Sequence, residues 1–291
     1  MSTGEPTAAA ARKPHEREPT DTELRRVRWI WPFPPVNPHV AAFVGRATQF
    51  TAPLVDGWRW LPAALVVGVV PVLANYFVRL PIQLFASAFL LFPMFVATVR
   101  AAKPARAFAV LAATFFAHSV AVIVLAARDP GRAAAFLPGA ESFWTESLHW
   151  IETGTNPEYE VRHWLPQHLL LAVAVICLGY CSLGLTVLLR GFYEVDLMNY
   201  YVGRLIGESG DAATALIYGW HVWSLVRGAG CALVMYEIAA VSLAALTGED
   251  RGAGRGRRLR LAAGVALLVL DGVLKFLLMD GVQARLQANL L

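Results

Sequence analysis

Along the chain, apolar runs of about 20 residues alternate with short charged clusters, the pattern of a polypeptide that crosses a bilayer repeatedly. The runs lie at about 61–77, 82–99, 107–127, 165–189, 212–246 and 261–279. A soluble α/β chain would interrupt its apolar runs with turn residues every 4–8 or so positions. The pattern therefore predicts an all-α polytopic transmembrane helical bundle with six to seven membrane-spanning segments.

The intervals complete the outline. Residues 1–28 are rich in Ala, Pro, Glu and Arg with no apolar core, which predicts a disordered cytoplasmic N-terminus and no signal peptide. Residues 29–60 mix Trp29, Trp31, Trp58 and Trp60 with several prolines and read as an interfacial segment, with a short surface helix over 39–52. The transmembrane domain then covers 61–291. A net acidic external loop spans about 128–164, and the mixed stretch after Arg190 predicts an interfacial helix over about 191–206.

Charge position orients the chain. Arg25, Arg26 and Arg28 place the N-terminus inside, and Arg100, Lys103 and Arg106 are inside again after two crossings. The difficulty comes later. If 165–189 returns the chain inside and 212–246 is one span, the linker with Arg251, Arg255, Arg257, Arg258 and Arg260 falls outside. Breaking 212–246 at Arg227-Gly228-Ala229-Gly230, as two passes or two half-helices, restores the rule. Irregular backbone at that depth would need protein or a water-filled cavity around it.

Composition agrees: 57% of residues are apolar and 16% charged, against about 25% charged in soluble domains. The net charge of +4 does not point to nucleic acid, because the basic residues flank apolar runs. Cys177, Cys181 and Cys231 lie within apolar segments and read as small packing residues, not a disulfide framework. High Ala, Arg and Gly usage fits a bacterial inner membrane. The partners implied are the lipid bilayer and other membrane subunits or further copies of the chain.

Ionisable residues inside spans mark function or packing, because each is costly there. Asp271 and Lys275 are four apart on one helix face, and Glu237 lies mid-segment. Together with Arg227 they are read as one buried polar cluster lining a path, with Lys275 the partner of Glu237. His118 and His221 are candidate ligands, for haem if they face one another. Glu146, His149 and His163 form a candidate external metal site, weakened by the single Glu-x-x-His motif where di-iron bundles use two. Gly207-Glu-Ser209-Gly210 resembles the nucleophile motif of rhomboid proteases over four residues. That family needs a base histidine on a later transmembrane helix, and His221 follows after only twelve residues, so the motif reads as a turn.

No catalytic signature or cofactor emerges from these residues. The function they imply is a transport-type protein or a membrane-complex subunit. The alternatives are an intramembrane enzyme or redox subunit built on the histidines, and a structural scaffold.

Overall fold

The computed structural model describes residues 38–80, 82–155, 161–247 and 254–290. Eleven helices follow one another among them: α1 (Pro38–Val55), α2 (Trp60–Val78), α3 (Gln83–Arg100), α4 (Pro104–Arg128), α5 (Pro130–Ala134), α6 (Ala140–Thr153), α7 (Val161–Cys181), α8 (Leu185–Glu208), α9 (Ala212–Gly219), α10 (Val222–Thr247) and α11 (Arg255–Leu290). The described residues contain no strand, so the fold is all-α. Five helices, α2, α3, α4, α10 and α11, are long and apolar enough to cross a membrane; α7 adds a shorter apolar stretch, Leu169–Cys181. A count of six to seven spans is not reached on length and apolarity alone. The expected N-terminal tail and the first part of the aromatic segment lie outside the described residues.

The first three spans match the apolar runs closely, and the later ones depart from them. The run at 165–189 is not one helix. It is cut by a turn at Ser182–Gly184, where Leu183 and Gly184 both adopt positive φ and the Ser182 hydroxyl accepts from the Thr186 backbone N–H. The helix after this turn, α8, contains the stretch read as an interfacial helix. It packs along α4, and Phe192, Asp196, Asn199, Tyr200, Tyr201 and Leu205 are buried in the protein.

The anticipated break at Arg227–Gly230 is also absent: α10 runs unbroken through it. The chain breaks earlier, at Trp220–His221. Gly230 serves packing instead. A Cβ there would lie 2.9 Å from the Gly264 carbonyl oxygen, so the two glycines let α10 and α11 touch backbone to backbone.

Two apolar clusters stack along the bundle. One gathers Ala64, Leu91, Phe95, Leu111, Phe192 and Tyr236. The other gathers Val72, Val122, Phe136, Trp144, Tyr200 and Leu205. The second includes α5 and α6, so much of the expected external loop is folded, with Trp144 and Trp150 buried in protein. The contrast in coverage is large: 61% of the α3 span is buried, against 11% for α11. α3 is thus a core helix, and α11 turns most of its surface outward.

Candidate functional site

Where the two apolar clusters meet, four helices contribute polar side chains to one buried chain. His118, on α4, is fully buried. Its Nε2 lies 2.6 Å from Asp196 Oδ1 on α8, and its Nδ1 lies 3.4 Å from Gln83 Nε2 at the start of α3. Gln83 Nε2 also donates to Ser87 Oγ at 2.9 Å, and Gln83 Oε1 accepts from Asn75 Nδ2 of α2 at 3.3 Å. Asn75 Nδ2 donates again, to the Pro71 carbonyl at 2.7 Å.

This network assigns the imidazole tautomer. The Gln83 amide nitrogen is a donor, so Nδ1 must accept, and the ring proton sits on Nε2 pointing at Asp196. The carboxylate therefore both orients the ring and faces its acidic N–H.

Local packing holds this geometry. Gly68 brings α2 against α4 at this level: a Cβ there would come within 2.5 Å of the Thr114 carbonyl oxygen and 3.1 Å of the His118 backbone nitrogen. Phe192, one turn from Asp196, meets the His118 ring edge-on at 4.9 Å and stacks on Phe115 at 4.5 Å. The polar face of α8 continues beyond Asp196. Asn199 donates to Ser119 Oγ at 3.1 Å, and the Tyr200 hydroxyl donates to Glu141 of α6. Arg204 ties Glu141 to Glu208 at the end of the same helix. Polar groups thus lead from the bundle interior toward the α6 end.

The residues read from the sequence as one cluster fall into two ion-pair layers. Arg227 clamps Asp271 through Nε and Nη2, at 2.8 and 3.2 Å. Glu237, 1% exposed, pairs instead with Arg260 at 2.5 Å and Arg257 at 3.4 Å. Lys275 is not the partner of Glu237: it lies fifteen positions beyond Arg260 on α11, about 22 Å along a helix. The layers separate because α10 and α11 run antiparallel, which a single-segment reading does not reveal. Near the first layer, Arg190 pairs with Glu194 on α8, both about two-fifths exposed.

His118 and His221 do not face one another. His221 sits at the α9–α10 break, stacked on Trp223 at 4.4 Å, with Trp150 and Tyr201 at 5.7 and 5.9 Å. The His221 Nε2, Trp150 Nε1 and Tyr201 hydroxyl are buried with no hydrogen-bond partner among the described residues. In α6, Glu146 accepts from Ser142, and His149 presents its carbonyl to Thr153. The His163 side chain lies outside the described residues, and among those described no three metal-ligating side chains gather. Gly207 and Glu208 end α8, and Ser209 and Gly210 begin the connection to α9.

Sequence reasoning found His118 but missed Asn75, Gln83 and Asp196. The available signals were the lone amides in otherwise apolar stretches and the spacing of Asp196, Asn199 and Tyr200, which puts three polar groups on one helix face. Comparison with protein families, curated proteins and solved structures finds no match, so the case for function rests on this geometry.

Proposed function

We propose that this chain is a membrane-embedded proton carrier, a transport-type protein or a proton-conducting subunit of a membrane complex, with His118 and Asp196 as its protonatable pair. The observation that carries the reading is the 2.6 Å contact between a fully buried imidazole and a buried carboxylate. Histidine is the side chain whose charge changes in the neutral range, and a buried carboxylate can receive its proton.

The step balances at named atoms. A proton arriving at Nδ1 makes the imidazolium, and the Nε2 proton passes to Asp196 Oδ1. For that, the Gln83 amide must release Nδ1. Its contact there is the longer one at 3.4 Å, and it already donates to Ser87 at 2.9 Å. Gln83 is thus a positioning residue.

The reading takes seven crossings, α2, α3, α4, α7, α8, α10 and α11, with the N-terminus inside. Counting α8 as a crossing puts the arginine-rich linker inside without breaking α10, which resolves the charge conflict. Asn75, Gln83 and the Glu141–Arg204 group then lie toward the outer face.

The test is proton flux into vesicles containing the purified full chain, driven by a potassium diffusion potential and read with an enclosed pH dye. Wild-type vesicles acidify, and His118→Gln slows them by about a hundredfold, the lower end of what a positioned acid–base group contributes. Wild-type vesicles no faster than protein-free ones would overturn the proposal.

The complex-subunit form is favoured by Arg190, Glu194 and Arg227, which are about two-fifths exposed. Charges at membrane depth face protein or water, so a second membrane helix would cover them. A partner or second copy retained through mild-detergent purification, and lost with Arg190→Leu, is the expected result.

A further inference from the structure

Away from the His118 chain, α9, α10 and α11 enclose a cleft of about 430 Å³. Ile217, Val222, Leu277 and Leu278 supply its apolar walls, and Tyr218 and His221 add a phenol and an imidazole. Arg285 stands at one end, exposed, with no acidic partner among the described residues. Ile217, Val222 and Leu277 are between 46% and 73% exposed, so the cleft opens on the outward surface of the bundle.

The position along α11 is informative. Between Leu261 and Met279 the exposed residues of the helix are apolar; from Asp280 on, Gln283, Arg285, Gln287 and Asn289 follow. Gln283 and Gln287 donate to the carbonyls of Ile151 and Glu152 at the end of α6. The cleft therefore straddles the level where the helix surface changes from hydrocarbon-like to headgroup-like, and its cation sits on the polar side. Gly281 lines it between the two halves, and a Cβ added there meets nothing within 4 Å.

We infer that this cleft is a binding site for an anionic phospholipid, with an acyl chain against Ile217, Val222, Leu277 and Leu278 and the phosphate at Arg285. Charge complementarity selects this occupant. The exposed Arg285 guanidinium, without an acidic partner among the described residues, offers several donors to a phosphate, and the apolar walls suit a lipid tail. Tyr218 can add a donor to the ester oxygens. The site is separate from the proton path and stands whether or not the chain conducts protons.

The experiment is native mass spectrometry of the full chain released from detergent after incubation with phosphatidylglycerol, phosphatidylcholine or inorganic phosphate. Wild-type protein should retain one phosphatidylglycerol at least fivefold more than phosphatidylcholine, and free phosphate should not displace it. Gly281→Leu fills the cleft and improves helix propensity, so it should fold and lose the lipid. Arg285→Gln should still hold a lipid but lose the preference for the anionic headgroup. Equal retention of the two lipids by wild type, displacement by inorganic phosphate, or unchanged binding in both variants would overturn the assignment. Should Gly281→Leu not fold, as judged by its melting temperature, the Arg285→Gln comparison decides alone.

Discussion

Asp196 and Glu237 are both carboxylates shut inside the bundle, 5% and 1% exposed, yet they face different kinds of base. Glu237 meets Arg260 and Arg257, whose guanidinium groups do not release a proton in proteins. Asp196 meets His118, which does. The first arrangement fixes α10 to α11. The second is the pair proposed to carry a proton, with Gln83 and Ser87 hydrogen-bonded beside it. A buried acid is thus a fastener or a relay according to what its partner can do with a proton. The same comparison explains why Glu237 reads as a candidate from sequence: its cost of burial is legible there, but its partners are not.

The largest test of this contrast is Asp196→Asn. The amide keeps the shape and a hydrogen bond to His118 but cannot take its proton, so proton flux should fall about a hundredfold while the melting temperature moves little. Glu237→Gln should do the reverse. It leaves two arginines facing a neutral amide and should cost about 2 kcal/mol, the scale of a hydrogen bond to a charged group, read by thermal unfolding in detergent with flux retained. If both variants behaved alike, the distinction between fastener and relay would fail.

Gly68→Val should lie between the two. Its side chain collides with the Thr114 carbonyl 2.5 Å from the new Cβ, and overpacking of that kind costs about 1–3 kcal/mol. Because the His118 backbone is close by, flux should drop along with stability. The smallest effect belongs to Asp211, outside the spans. The Thr214 hydroxyl and the Ala213 N–H hold its carboxyl below the usual range. The folded carboxyl is the stronger acid, so its contribution is present above the ordinary carboxylate range and is lost as pH falls below it. Asp211→Ala should flatten that acid-side loss slightly, measurable as the pH dependence of the melting temperature.

Much of the architecture was legible in the chain. Runs near 61–77, 82–99 and 107–127 mark α2, α3 and α4 within a few residues, because a bilayer-length apolar helix leaves an unambiguous pattern. The turn at Ser182–Gly184 was not, since Cys181-Ser-Leu-Gly is as apolar as its surroundings and Leu183 adopts left-handed backbone without any sequence mark. Missing it hid α8, whose polar face looks interfacial until α4 is seen packed along it. The candidate site was half legible. His118 stood out, whereas its partners come from 35 and 78 positions away, distances that no local periodicity reports.

The unbroken length of α11 has a mechanical side. Arg260 is pinned to Glu237 near one end, and Gln287 to the Glu152 carbonyl near the other. Twenty-seven residues of helix separate these two clamps, about 40 Å, close to a bilayer measured with its headgroups. A rod fastened near both of its ends would act as a gauge of thickness. In a thinner membrane it must tilt or draw the lipid toward it, and either response loads the same two clamps.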